Sequence, residues 1–164
     1  MRLNGSVAIF LATLAILSFT NCPAEDAKYS FPDSCKPDGF QFRNNELVLN
    51  SGSEQGLYLF YNDSANDVWL NHPVGKDPGA SAGWASNLNT GNWSAFAINK
   101  DNFALTCSES EPGAVKELSC DKVLKVCKFA KPYFKPEETG SYWVSEDKPL
   151  TNVLGEIKSR GIEF

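Results

Sequence analysis

Thr106–Phe129, TCSESEPGAVKELSCDKVLKVCKF, contains Cys107, Cys120 and Cys127. Its first half reads as a hairpin. NFALTC (Asn102–Cys107) is a strand, SESEPG (Ser108–Gly113) carries Pro and Gly where a turn needs them, and Ala114–Cys120 is the returning partner. With Cys35, these cysteines make an even set of four, the pattern of a disulfide framework in an exported chain. Three pairings are open. The favoured one joins Cys107 to Cys120 across the turn and Cys35 to Cys127 around a much larger loop. Each bridge is worth about 2–4 kcal/mol. A zinc site fits poorly, because the spacings contain no C-x-x-C and the single histidine, His72, lies far off in sequence. No metal and no cofactor is expected.

Outward from this hub the chain reads as short strands. GFQFR (Gly39–Arg43), ELVLN (Glu46–Asn50) and GLYLFY (Gly56–Tyr61) are separated by Asn44-Asn45 and Ser51-Gly52-Ser53. Leu57, Leu59 and Tyr61 share one face, with Tyr58 and Phe60 on the other, as expected of a central strand between packed layers. DVWLN (Asp67–Asn71), Trp93–Ile98 and GSYWVS (Gly140–Ser145) continue the series, and His72–Gly83 is a long Gly/Pro-rich loop. Asp121–Cys127 reads as a short helix, since Val123, Leu124 and Cys127 stand at i, i+1, i+4. A second helix, 148–160, carries Leu150, Val153, Leu154 and Ile157 as one stripe, with Asp147 as N-cap and Gly161 as stop. The sum is a mainly β fold: an immunoglobulin-like β-sandwich of short strands, disulfide-stapled, with a C-terminal α-helix.

The N-terminus reads as a secretory signal. Arg2 precedes the apolar run Val7–Phe19, and Cys22-Pro23-Ala24 offers a cut after Ala24. The run is short for a span, so no transmembrane segment is expected after signal removal. A lipoprotein cut before Cys22 is the alternative, although Phe19-Thr20-Asn21 is a poor lead-in for it. The expected organisation is a signal peptide at 1–24, an arm at 25–37 and one domain at 38–164. The signal removes Arg2, leaving 14 basic residues against 20 acidic ones, a net charge of −6. Such a balance argues against a nucleic-acid partner, whose phosphates demand a basic face. The signal reading implies an exported protein, secreted or held at the cell surface.

Few residues point to chemistry. His72 could serve as a general base, but no G-x-S-x-G marks a nucleophile to go with it. Glu109, Glu111 and Glu137-Glu138 sit in turn-like sequence, where solvated charge is the ordinary reading. Lys116, Lys122, Lys125, Lys128, Lys131 and Lys135 make the second half locally basic, again read as a solvated face. Among the tryptophans, Trp69, Trp93 and Trp143 lie in strands and read as core. Trp84, after the loop, is the candidate binding aromatic, and His72, at the loop's start, the second candidate ligand-binding residue. Asn62-Asp63-Ser64 and Asn92-Trp93-Ser94 match glycosylation sequons.

NWSAFAI (Asn92–Ile98), NFALTC, LSCDKVLKVCKF (Leu118–Phe129), GSYWVS and the closing RGIEF (Arg160–Phe164) resemble, in that order, the "enhanced entry" protein B family of exported proteins of intracellular Gram-negative bacteria. The likeness extends more loosely through GFQFRNNELVLN and LYLFYNDS to Cys35. It implies a periplasmic or surface protein linked to host-cell entry or intracellular survival, and brings no catalytic residues. The expectation is a non-enzymatic binding or accessory module for an envelope or host protein. The alternative is a small envelope hydrolase, or a hydrolase inhibitor, using the His72–Trp84 loop.

Overall fold

Asn44 and Asn45 both take positive φ, 48° and 69°, and close a two-residue turn between β2 (Phe40–Arg43) and β3 (Glu46–Asn50). Such turns match the twist of antiparallel strands and suit asparagine. The computed structural model describes residues 29–50, 52, 55–72, 84–98, 101–112, 114–134 and 141–164; at 84, 101 and 111 only the backbone is described. The chain divides into a unit Met1–Ser30, in which Tyr29 and Ser30 are described, and a unit Phe31–Phe164 that carries every element below. The signal reading, residues 73–83 and Glu137-Glu138 lie outside the described residues.

Two antiparallel sheets face each other. Sheet 1 runs β1 (Cys35–Lys36), β10 (Leu124–Phe129), β4 (Gly56–Asn62), β7 (Trp93–Ile98) and β11 (Tyr142–Lys148). Sheet 2 runs β2, β3, β8 (Asp101–Glu111), β5 (Val68–His72) and β6 (Trp84–Leu88), with β9 (Ala114–Leu118) also paired to β8. Between them lies one buried cluster that includes Leu47, Leu49, Tyr58, Phe60, Leu70, Phe96, Phe103 and Leu105. β4 and β7 are inner strands buried on both faces, as the sequence predicts for β4. On the other face of sheet 1, Leu57, Leu59, Ala95 and Ala97 are also wholly buried. There helix α2 (Leu150–Ser159) packs against β7 and β11. The architecture is a disulfide-stapled, immunoglobulin-like sandwich with a C-terminal helix.

The bridges are Cys35–Cys127 and Cys107–Cys120, with Cα atoms 5.4 and 5.3 Å apart. The first fastens edge strand β1 to β10. The second ties β8 to the crossover that carries the chain from sheet 2 to sheet 1. The arm is drawn into the body from Phe31 onward: its ring meets Trp93 edge-on at 5.9 Å.

Three local expectations are corrected. The predicted helix at Asp121–Cys127 is a single turn, α1 (Cys120–Val123), followed at once by β10. Leu124, Val126 and Phe129 serve sheet burial there, and tertiary packing overrides a weak helical spacing. The hairpin turn is tighter than SESEPG, because the β8–β9 ladder continues to Glu111↔Ala114. The closing helix begins at Leu150 with Pro149 in the N-cap place. Asp147 belongs to β11 at φ 50°, and its carboxylate accepts the Asn89 N–H at 2.8 Å and Asn92 Nδ2 at 2.9 Å. At its other end α2 stops as its sequence predicts. Gly161, at φ 73°, donates to the Lys158 carbonyl and Ile162 donates to that of Ile157, the paired bonds of a glycine-terminated helix.

Candidate functional site

Strand β5 reads Val68-Trp69-Leu70-Asn71-His72, and its alternation assigns its side chains. Val68, Leu70 and His72 are buried, whereas Trp69 is 38% exposed and Asn71 half-buried. Trp69 is therefore not a core residue. It stands on the outward face of sheet 2, and the strand register sets its neighbours. Asn87 on β6, Trp69 on β5, Ser108 on β8 and Glu117 on β9 lie directly opposite one another in one row across four strands. Paired residues share a sheet face. Beside this row, Asn71 pairs with Thr106 and Ser110 with Val115.

Open clefts of about 820 Å³ and 360 Å³ lie on this face and share Trp69 and Ser110. The larger is lined by Asn66, Asp67, Asn87 and Glu109 as well. These polar groups are braced by each other. Asn71 Nδ2 donates to Ser108 Oγ at 3.0 Å, and Asn87 Nδ2 to Asn89 Oδ1 at 2.6 Å. Asp67 accepts the Thr90 N–H at 3.2 Å. Glu109 accepts from Lys116 Nζ at 2.5 Å and from Asn66 Nδ2 at 3.2 Å. The Lys116 bond, followed by that from Asn66, holds the Glu109 carboxyl below the usual carboxylate range.

His72 lies elsewhere. It ends β5 instead of opening the loop, is 4% exposed, and stacks on Phe103 with ring centroids 4.1 Å apart. Its Nδ1 is 2.8 Å from the Ala104 carbonyl oxygen. Trp84 pairs with His72 in the ladder, but its side chain is outside the described residues. Of the remaining tryptophans, Trp93 is buried and Trp143 half-buried, packed edge-on against Phe60 at 5.7 Å.

Of the six lysines singled out in the sequence, four have partners, Lys131 is exposed, and Lys135 lies outside the described residues. Lys116, Lys122 and Lys125 pair with Glu109, Asp121 and Asp63, and Lys128 reaches over the Tyr58 ring. Asn62 of the first sequon is fully buried, its Nδ2 donating to the carbonyls of Asn66 and Leu88 at 2.8 Å. Among the described residues no group of three His, Cys, Asp or Glu could hold a metal ion. No helix among them is long and apolar enough to cross a membrane.

The signal for Trp69 was present in the sequence as DVWLN. Once Val68 and Leu70 point inward, period two turns Trp69 outward. Residue type alone favoured the core. No protein-family model, curated protein or solved structure matches the chain.

Proposed function

We propose that this chain is an exported, non-enzymatic binding or accessory module working through the outward face of sheet 2. The observation that carries the reading is Trp69, 38% exposed in the middle of a polar row instead of inside the sandwich. An aromatic held rigid on a strand gives contact area at little entropic cost. The two disulfides support an oxidising compartment. The resemblance to the enhanced entry protein B family supplies the setting: an envelope or surface location, a partner in the envelope or on the host cell, and a link to entry or intracellular survival. His72 has its ring packed flat on Phe103 and bonded to backbone, which favours a structural role over that of a base.

The test is binding of the purified mature protein to isolated envelope fractions and to host-cell surfaces. Retention is expected for the wild type and for Trp84→Ala, and loss for Trp69→Ala. Hydrolysis of peptidoglycan or ester substrates that vanishes in His72→Ala, with folding verified by near-UV circular dichroism, would overturn the proposal.

A further inference from the structure

We infer that the trough centred on Trp69 is a binding site for an uncharged glycan. This rests on the reading of the chain as a binding module and names what it binds. A pyranose ring has an apolar face of C–H groups and an equator of hydroxyls. It therefore needs a flat aromatic surface bordered by amides, hydroxyls and carboxylate oxygens. The trough offers that combination: the Trp69 indole with Asn87, Ser108 and Glu117 in line and Asn71 and Ser110 beside them. Amides and hydroxyls both donate and accept, as sugar hydroxyls do.

Charge narrows the class. The acids lining the larger cleft are already engaged, Glu109 by Lys116 and Asn66, and Asp67 by the Thr90 N–H. They brace the site, and among the described residues no group of three acids converges to hold a metal cation. An anionic ligand would meet Asp67, Glu109 and Glu117 together, with Lys116 committed to Glu109. A neutral ligand meets neither obstacle.

Shape and composition favour a glycan over a protein surface. Protein interfaces concentrate their energy in a contiguous apolar centre from which water is excluded. On this face, among the described residues, the large exposed apolar side chains are Trp69 and Val115; both line the smaller cleft, but in different rows and with Asn71, Thr106, Ser108, Ser110 and Glu117 around them. Four strands spaced about 4.8 Å apart make the row about 14 Å long, enough for a short oligosaccharide lying across the strands. The platform is also preorganised: β5 is held between β6 and β8, and the amides are hydrogen-bonded to neighbours.

The experiment is titration calorimetry with intrinsic tryptophan fluorescence on the mature, oxidised protein. Chito-oligosaccharides, which share N-acetylglucosamine units with bacterial wall glycans, form one arm. Uncharged host-type N-glycans form the other, so the source is distinguished. Binding in one arm is expected, with a change in tryptophan emission and affinity rising with chain length until the trough is filled. Trp69→Ala should weaken it at least about tenfold, as for a central aromatic anchor, and Asn87→Ala by less. If Trp69→Ala loses its near-UV spectrum, Trp69→Phe and Asn87→Ala carry the test, and unchanged affinity in both overturns the inference. No binding in either arm, with envelope or host-surface retention still dependent on Trp69, overturns the glycan and leaves the module standing. No Trp69-dependent retention of any kind overturns both.

Discussion

Removing the Cys35–Cys127 bridge should cost more stability than removing Cys107–Cys120, and the chain itself sets the size of the difference. The bridges close loops with sequence separations of 92 and 13. Loop-closure entropy in the unfolded chain then gives about 4.6 kcal/mol for the long loop and about 2.9 kcal/mol for the short one, a gap of about 1.7 kcal/mol. Burial does not confound the comparison, since all four cysteines are at most 3% exposed. Double Cys→Ala variants therefore lose similar packing and differ mainly in the loop released. Urea unfolding followed by circular dichroism is the assay. With a slope of about 1.5 kcal/mol/M, the Cys35/Cys127 double variant should unfold about 1 M earlier than its counterpart. Against a total of about 5–15 kcal/mol, the Cys107/Cys120 variant keeps a measurable transition, and the Cys35/Cys127 variant does so where the wild type lies above the lower end of that range. Equal midpoints, or a less stable Cys107/Cys120 variant, would refute the entropic argument and point to native-state packing at the crossover instead.

Asp147→Ala removes the carboxylate that holds the 89–92 turn and should cost about 1–3 kcal/mol in urea unfolding. Asp147→Gly should be milder by about 1 kcal/mol, because φ at this position is positive. Asn62→Ala leaves the buried Leu88 carbonyl without its side-chain donor and the Asn66 carbonyl with only the Ser64 hydroxyl, a loss of about 1–3 kcal/mol; a melting temperature equal to wild type would contradict it. Glu156 is held below its ordinary 4.5, first of all by its bond from Lys148. A depressed folded value adds stability above the unfolded value that is lost as pH falls through the folded one. The stability advantage of wild type over Glu156→Gln should accordingly shrink between about pH 6 and pH 3; parallel melting curves across that range would count against it.

The sandwich and its closing helix were legible because they rest on strong local signals. Gly56–Tyr61 is apolar on both faces and became a central strand, and Gly161 ended α2 through its positive φ. What failed were signals that depend on neighbours. Leu124–Phe129 could not show that β1 and β4 would flank it, so a helical coincidence among Val123, Leu124 and Cys127 prevailed. Asp147 resembles a helix cap, yet its partners Asn89 and Asn92 are more than fifty residues away. Trp69 was misjudged by residue type, although its own strand's alternation pointed outward. His72 was drawn into the loop that follows it, whereas ladder pairing with Trp84 and stacking on Phe103 keep it in β5.

A sandwich has two outer faces, and this one treats them unequally. Behind sheet 1, α2 covers β7 and β11, and Leu57, Leu59, Ala95 and Ala97 are fully buried. Across β6, β5, β8 and β9 the outward positions are mostly polar, with Trp69, Val115 and Ala85 among them. An indole buries about 150–250 Å² when covered. Leaving 38% of Trp69 in water thus forgoes about 2 kcal/mol of burial. Among the described residues the other exposed aromatics do not present the same arrangement: Phe42 lies on edge strand β2 against Phe40, and Tyr133 lies outside the sheets. Trp69 alone among these three sits at the centre of a row crossing four strands, with amide, hydroxyl and carboxylate in register. Burial that the fold leaves unused at such a place is available to whatever covers the indole, and the polar row restricts that ligand to one able to hydrogen-bond along its edges.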